Sequence, residues 1–158
     1  MNVCAGARAD RGGAGHDGMK GVMVPDTPQE IFERWIRGGM TRDADAQAEL
    51  FAVDGVFEAP LVAPGGAFPS RLDGREAIRA GMAAYHRRPP DADHAVDVAR
   101  SRYVLHTTAD PDVFVAEIDT ALVVAGVATT MALVQIYRMR DGKIALLRDY
   151  FAPEHVNL

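Results

Sequence analysis

Two hydrophobic rhythms divide the chain. In the first half apolar residues recur at helical spacing: Ile31, Phe32, Trp35, Ile36 and Met40 fall on one broad face. Thr27 stands as a cap before Pro28, with Glu30 three residues after it, so the chain writes a capping box at the start of this helix. Gly38-Gly39 loosens its end. A second short helix is predicted over roughly residues 44–51, presenting Leu50 and Phe51, and "GVFEAP" then reads as a short strand stopped by Pro60. "LVAPGGAFPSR" is too rich in Gly and Pro for a regular element and reads as a loop. Asp73 with Glu76 caps a third helix, which carries Ile78, Met82 and Tyr85 on one face before "RRPPD" ends it.

From about Ala95 the period shortens to two. Four long strands are predicted: "AVDVARSRYVLHTT", "VFVAEIDTALVV", "VATTMALVQIYRM" and "KIALLRDYF", broken at Ala109-Asp110-Pro111-Asp112, Ala125-Gly126 and Asp141-Gly142. Helices first and hairpin-connected strands last make an α+β fold, three N-terminal helices lying on one face of a mostly antiparallel sheet. Long strands twist and curl, and a curled sheet under helices encloses a concavity suited to a small molecule.

Length and composition bound this picture. At 158 residues with 48% hydrophobic content, the chain builds one core: a tail over residues 1–25, predicted disordered, then one domain over residues 26–158. The tail contains no apolar run long enough for a signal peptide or a membrane span, and Met19 and Met23 offer alternative starts. A net charge of −5 with scattered Lys and Arg excludes a nucleic-acid surface. The lone cysteine, Cys4, excludes a disulfide framework and suits the reducing cytoplasm. No His-x-His or His-x-x-x-His spacing occurs, so no metal site is expected.

The chemistry lies in the strands. Asp149 alternates with Ala145, Leu147 and Phe151, while Ile144, Leu146, Arg148 and Tyr150 take the other side. Two readings compete for this acid: a structural one, as an ion pair with Arg148 or another arginine or as a hydrogen bond to a neighbouring helix end, or a desolvated carboxyl whose raised pKa lets it move protons near neutral pH. Glu117 and Asp119 share a face with Val113 and Val115. They either pair with arginines across the sheet or, if Asp119 and Asp149 face one cavity, hold a water or substrate hydroxyl between them. His106 is a candidate base against the plainer reading of a hydrogen-bonded strand histidine, and His86 is placed to complement the dipole at the end of the third helix. Trp35, Phe57, Phe68, Tyr103, Met131, Tyr137 and Phe151 are candidate pocket walls, with Phe68 at the centre of a loop able to close a cavity mouth.

The order of these elements, together with "LFAVDGVFEAP", "LDGREAIRAGM", "DPDVFVAEID" and "RMRDGKIALLRDYFAP", resembles the SnoaL-like branch of the NTF2-like superfamily over approximately Thr27 to Pro153. The resemblance implies a cone-shaped domain, a homodimer built on the outer sheet face, and cofactor-independent acid/base chemistry on a hydrophobic, oxygenated small molecule. Cyclisation, isomerisation or dehydration, plausibly in secondary metabolism, are the implied reactions. Asp149 matches the last-strand acid of SnoaL-like cyclases and limonene-epoxide-hydrolase-like enzymes, and the Glu of phenazine A/B-type proteins. Other positions depart: Gly81 stands near the place of the phenazine-type helix histidine, and Glu117 replaces the Arg of the epoxide hydrolases' Arg-x-Asp. Ala59 and Trp35 replace the Asp and Tyr of ketosteroid isomerases. Asp149 is therefore expected as acid/base with Asp119 and Glu117 as polarising partners. Water addition to an epoxide, or a non-catalytic binding and dimerisation module, are the alternatives that the fold leaves open.

Overall fold

A computed structural model describes residues 26–89 and 94–153; the tail over residues 1–25 lies outside the described residues. Helix α1 (Pro28–Met40) begins as expected, the Thr27 hydroxyl accepting from the Glu30 amide while the Glu30 carboxylate accepts from the Thr27 amide. Its stripe of Ile31, Phe32 and Trp35 is buried. Helix α2 (Ala44–Ala48) is shorter than predicted, because Phe51 already belongs to β1 (Phe51–Glu58). The Leu50 carbonyl accepts from the Ile144 amide, and a strand pairing of this kind offers the backbone a partner that another helical turn would forgo. Gln47 donates to the Trp35 carbonyl and ties α2 to α1.

A short strand, β2 (Arg71–Asp73), was not legible beforehand; it pairs with the end of β1. It also displaces the predicted cap of α3 (Arg75–His86): Asp73 is bonded to Arg71, and Gly74 takes the cap position at φ 89° without any side-chain bond. The expected first long strand is two pieces, β3 (His94–Val96) and β4 (Arg102–Thr107), separated by a turn in which the Asp97 side chain accepts from the Arg100 amide. Both pieces pair with the long β5 (Val113–Val124), which continues into β6 (Val127–Arg140) and β7 (Lys143–Tyr150). The hairpin turns put Ala125 and Gly126, then Asp141 and Gly142, all at positive φ, the type I′ conformation that matches strand twist.

The seven described strands form one mixed sheet, ordered β2-β1-β7-β6-β5-β3 with β4 also on β5; β1 runs parallel to β7 and the other pairs are antiparallel. Its inner face, with Phe57, Phe114, Tyr137 and Leu147, packs against Ile31, Phe32, Trp35, Ile78 and Met82 of the helices in one core. The fold is the expected α+β NTF2-like cone. Among the described residues, no helix is long and apolar enough to cross a membrane, and no group of three metal-ligating side chains gathers.

One irregularity decides the register of the last strand. Arg138 pairs with Leu146 but Met139 with Ile144, so Ala145 is bulged out of the ladder. Simple alternation places Ile144 opposite to Leu147; the bulge instead buries both.

Candidate functional site

The pairing registers lay the inner face out in rows. One row runs Leu105, Ala116, Gln135, Asp149 across β4, β5, β6 and β7. Glu58 lies beside Arg148, so the next residue, Ala59, reaches the level of Asp149 from β1. The neighbouring row is Phe114, Tyr137, Leu147 and Phe57. Asp149 and Gln135 therefore form a polar island flanked by the methyl side chains of Ala59 and Ala116.

Asp149 is 7% exposed and is the one buried carboxylate among the described residues. Its Oδ2 accepts a hydrogen bond of 3.0 Å from Gln135 Nε2, and Gln135 Oε1 in turn accepts one of 2.6 Å from the Tyr137 hydroxyl. Oδ1 is buried with no hydrogen-bond partner among the described residues. Desolvation pushes the Asp149 carboxyl up to about 7, against a smaller opposing effect of the Gln135 donor. The Tyr137 hydroxyl is also driven well above its ordinary value, first by burial and then by the nearby Asp149 charge, so it stays a neutral donor. No arginine among the described residues reaches this acid: Arg148, one residue away, points to the other face and binds Glu58 at 2.7 Å, and Glu58 also takes Arg71. Of the two readings of Asp149, the ion pair with Arg148 is excluded.

Glu117 and Asp119 do not join it. Ala116 and Ile118 are the inward residues of β5, and both acids lie exposed on the outer face. The expectation that Asp119 and Asp149 share a cavity is corrected by this alternation: Glu117 sits in an outer row with Val104, Val134 and Tyr150, and Asp119 lies between Arg102 and Ala132. His106 is likewise on the outer face, its Nε2 3.0 Å from the Glu117 carboxylate, so it lines no inner pocket.

The aromatic candidates divide differently. Trp35 packs against Phe51 and Phe57 with ring centroids 5.7 and 5.8 Å away, and Tyr137 stacks on Phe114 at 4.4 Å. Phe68 folds in from the loop after β1 and meets Phe57, Tyr85 and Phe151 edge-on, so this loop does cover one end of the core. Tyr103 sits at the rim: 42% exposed, it packs on Phe32 and donates from its hydroxyl to Glu33 of α1. Met131 lies partly buried against the core.

Gln135 was missed. The available signal was parity, since in "MALVQIYRM" it is the one polar residue in step with Met131, Leu133 and Tyr137. At Gly81 a Cβ would come within 2.7 Å of both methyls of Leu72, so a histidine at this helix position requires the Leu72 side chain to move. The dipole role expected of His86 goes elsewhere. Arg42 donates to the carbonyls of His86 and Arg88 at the end of α3, while burial lowers the His86 pKa and disfavours its cation. A separate open cleft of about 530 Å³ lies between α2 and α3; of its three arginines, Arg79 is engaged by Asp45, Glu49 and Glu76 and Arg42 by those carbonyls.

Comparison with known proteins bears on the family and the fold. Residues 32–147 match the SnoaL-like domain model. An uncharacterized PhzA/B-like protein of Pseudomonas aeruginosa is 33% identical over 127 residues, which cover 79% of this chain and 84% of that relative. Among solved structures, a Bacillus subtilis protein described as a "Putative Isomerase" superposes with a TM-score of 0.62 at 22% identity, covering 80% of this chain and 86% of that one. A Catenulispora acidiphila protein with a ketosteroid isomerase-like fold superposes with a TM-score of 0.55 at 21% identity, covering 80% and 88%.

Proposed function

The chain belongs to the SnoaL-like domain family of the NTF2-like superfamily, and from that premise we propose that it is a cofactor-independent acid/base enzyme acting on an uncharged, hydrophobic, oxygenated small molecule. The observation that carries this reading is Asp149, the single buried carboxylate among the described residues, with an Oδ1 unpartnered among them and a pKa pushed up to about 7. A carboxyl that titrates near working pH is present in both protonation states, which is what a group that takes a proton and returns it requires. Its surroundings are apolar or neutral donors, so an anionic substrate would meet uncompensated repulsion and a neutral one would not.

The reaction class follows from the number of acids. Adding water to an epoxide asks for one group to activate the water and another to protonate the leaving oxygen; Glu117 and Asp119, the candidates for the second role, lie on the outer face. A single carboxyl moving one proton within the substrate suits isomerisation or intramolecular cyclisation better. The same proposal includes a homodimer through the outer face, where Val104 and Val134 are exposed in one row. Light scattering on the purified protein reads the mass directly, and a monomer across the micromolar range refutes that part.

The acid/base reading is tested with a neutral nitrobenzisoxazole, whose ring opens when a base removes its C–H proton and the electrons break the N–O bond to leave a phenolate. Base catalysis by Asp149 requires its ionised form, so the rate should rise with pH through about 7 and level off. Asp149→Asn should abolish it. Equal rates in the two proteins would overturn the assignment.

A further inference from the structure

We propose that Gln135, locked by the Tyr137 hydroxyl, is a positioning residue that assigns the two oxygens of Asp149 separate duties: Oδ2 is held as a permanent acceptor, and Oδ1 alone exchanges protons with the substrate. The inference rests on the acid/base reading of Asp149 and goes beyond it by naming the reacting atom and the group that selects it.

The argument begins with donors and acceptors. A side-chain amide offers one accepting and one donating end, and nothing in its own shape decides which end faces a carboxyl. Here the Tyr137 hydroxyl decides. Burial keeps it protonated, and in this structure it donates that proton to Gln135 Oε1 at 2.6 Å. The amide is thereby turned so that Nε2 points at Asp149 Oδ2, 3.0 Å away. An oxygen that receives an N–H along its lone pair is a poor place to put a proton, since the added O–H would oppose the amide hydrogen. Protonation is steered to Oδ1, the buried oxygen that no group among the described residues occupies.

The same arrangement serves both states of the acid. As a carboxylate, Asp149 accepts from Gln135 through Oδ2; as a carboxylic acid protonated on Oδ1, it still accepts through Oδ2, now the carbonyl oxygen. Neither the amide nor the tyrosine must turn over when the proton moves, which is the meaning of a preorganised polar environment. Among the described residues no other charge competes for control. Tyr137 is the titratable group facing Asp149 from β6, the neighbouring inward positions Ala59, Ala116, Leu147 and Phe151 are apolar, and Arg148 and Glu58 bind each other on the far face. Gln135 is placed to act through Asp149, not on the substrate itself.

The test needs no substrate. In protein carrying ¹³C in the Asp carboxyls and ¹⁵N in the Gln side chains, the Asp149 carboxyl signal and the Gln135 amide signal should titrate together with one midpoint near 7. Tyr137→Phe frees the amide to rotate, so it should speed exchange of the Gln135 side-chain protons with solvent and raise the Asp149 midpoint. Gln135→Leu removes the donor altogether and should raise that midpoint further, by about one pH unit given the usual strength of a hydrogen bond to a charged group. A wild-type Gln135 amide signal that ignores the titration of Asp149 overturns the proposal, and this observation requires no variant to fold. So does an Asp149 midpoint left in place by both substitutions. Loss of nitrobenzisoxazole turnover in Asp149→Asn with an unmoved Gln135 signal defeats the positioning role alone; a coupled titration with full turnover in Asp149→Asn defeats the acid/base reading alone.

Discussion

The inner and outer faces of this one sheet treat the same functional group in opposite ways. On the outer face Glu117, with a side chain 66% exposed, sits beside His106 among valines and spans water as easily as protein. On the inner face Asp149, 7% exposed, has one amide donor and no ion partner, and its carboxyl is pushed up to about 7. Arg148 makes the contrast sharpest, because it is adjacent in sequence to Asp149 yet finds an ordinary ion pair with Glu58. An acid becomes a candidate catalyst here through the face it occupies and the helices that cover that face, since desolvation and not sequence neighbourhood sets its proton affinity.

The comparison breaks most readily on the rate of the nitrobenzisoxazole reaction. Asp149→Asn should lower it by at least about a hundredfold, the usual scale of general base catalysis, whereas Glu117→Gln and Asp119→Asn should leave it within about twofold. Comparable losses from an outer-face variant would erase the distinction between the faces.

Stability against pH comes next. The folded protein keeps the Asp149 proton up to about pH 7, while the unfolded chain releases it near the ordinary 3.8. Between those values the folded state binds more protons, so this group's favourable contribution is complete below 3.8 and is lost as pH rises through about 7. Across that gap the loss is of order 4 kcal/mol, at 1.36 kcal/mol per pH unit. Urea unfolding near pH 4 and near pH 9 should therefore show the wild type losing ground to Asp149→Asn at the higher pH. A constant difference between them would mean the acid is not desolvated.

A smaller effect is expected from Tyr137→Phe, which leaves Gln135 Oε1 buried without its donor. A cost of about 1–3 kcal/mol in urea unfolding is the normal consequence of orphaning such a group. The smallest effect belongs to the exposed pair: Glu117→Gln or His106→Ala should change stability by less than about 0.5 kcal/mol, as surface ion pairs do. A larger value would show that the outer face is not simply solvated.

Much of the local structure was legible. The Thr27 capping box, the Asp141-Gly142 turn and the alternation that groups Glu117 with Asp119 are written in short-range chemistry, and each is found as read. What failed were choices between partners. Phe51 fits the end of a helix or the start of a strand, and pairing of β1 with β7 settles it. Asp73 suits a cap, but Arg71 claims its carboxylate. Ala145 offers no bulge signal of its own, yet the bulge carries Ile144 into the core beside Leu147.

The candidate site shows the same division. Alternation along each strand follows from backbone geometry alone, so the chain by itself determined that Asp149 travels with Leu147 and Phe151, and that Glu117 and Asp119 travel together. Both faces of β5 are apolar enough to be the buried one, with Val113 and Val115 on one side and Phe114, Ala116 and Ile118 on the other. Only the tertiary structure decided which face the helices cover, and with it which acids are desolvated and that Gln135 and Tyr137 stand beside Asp149. Parity is a property of one strand, whereas burial and register are properties of all the strands and helices at once.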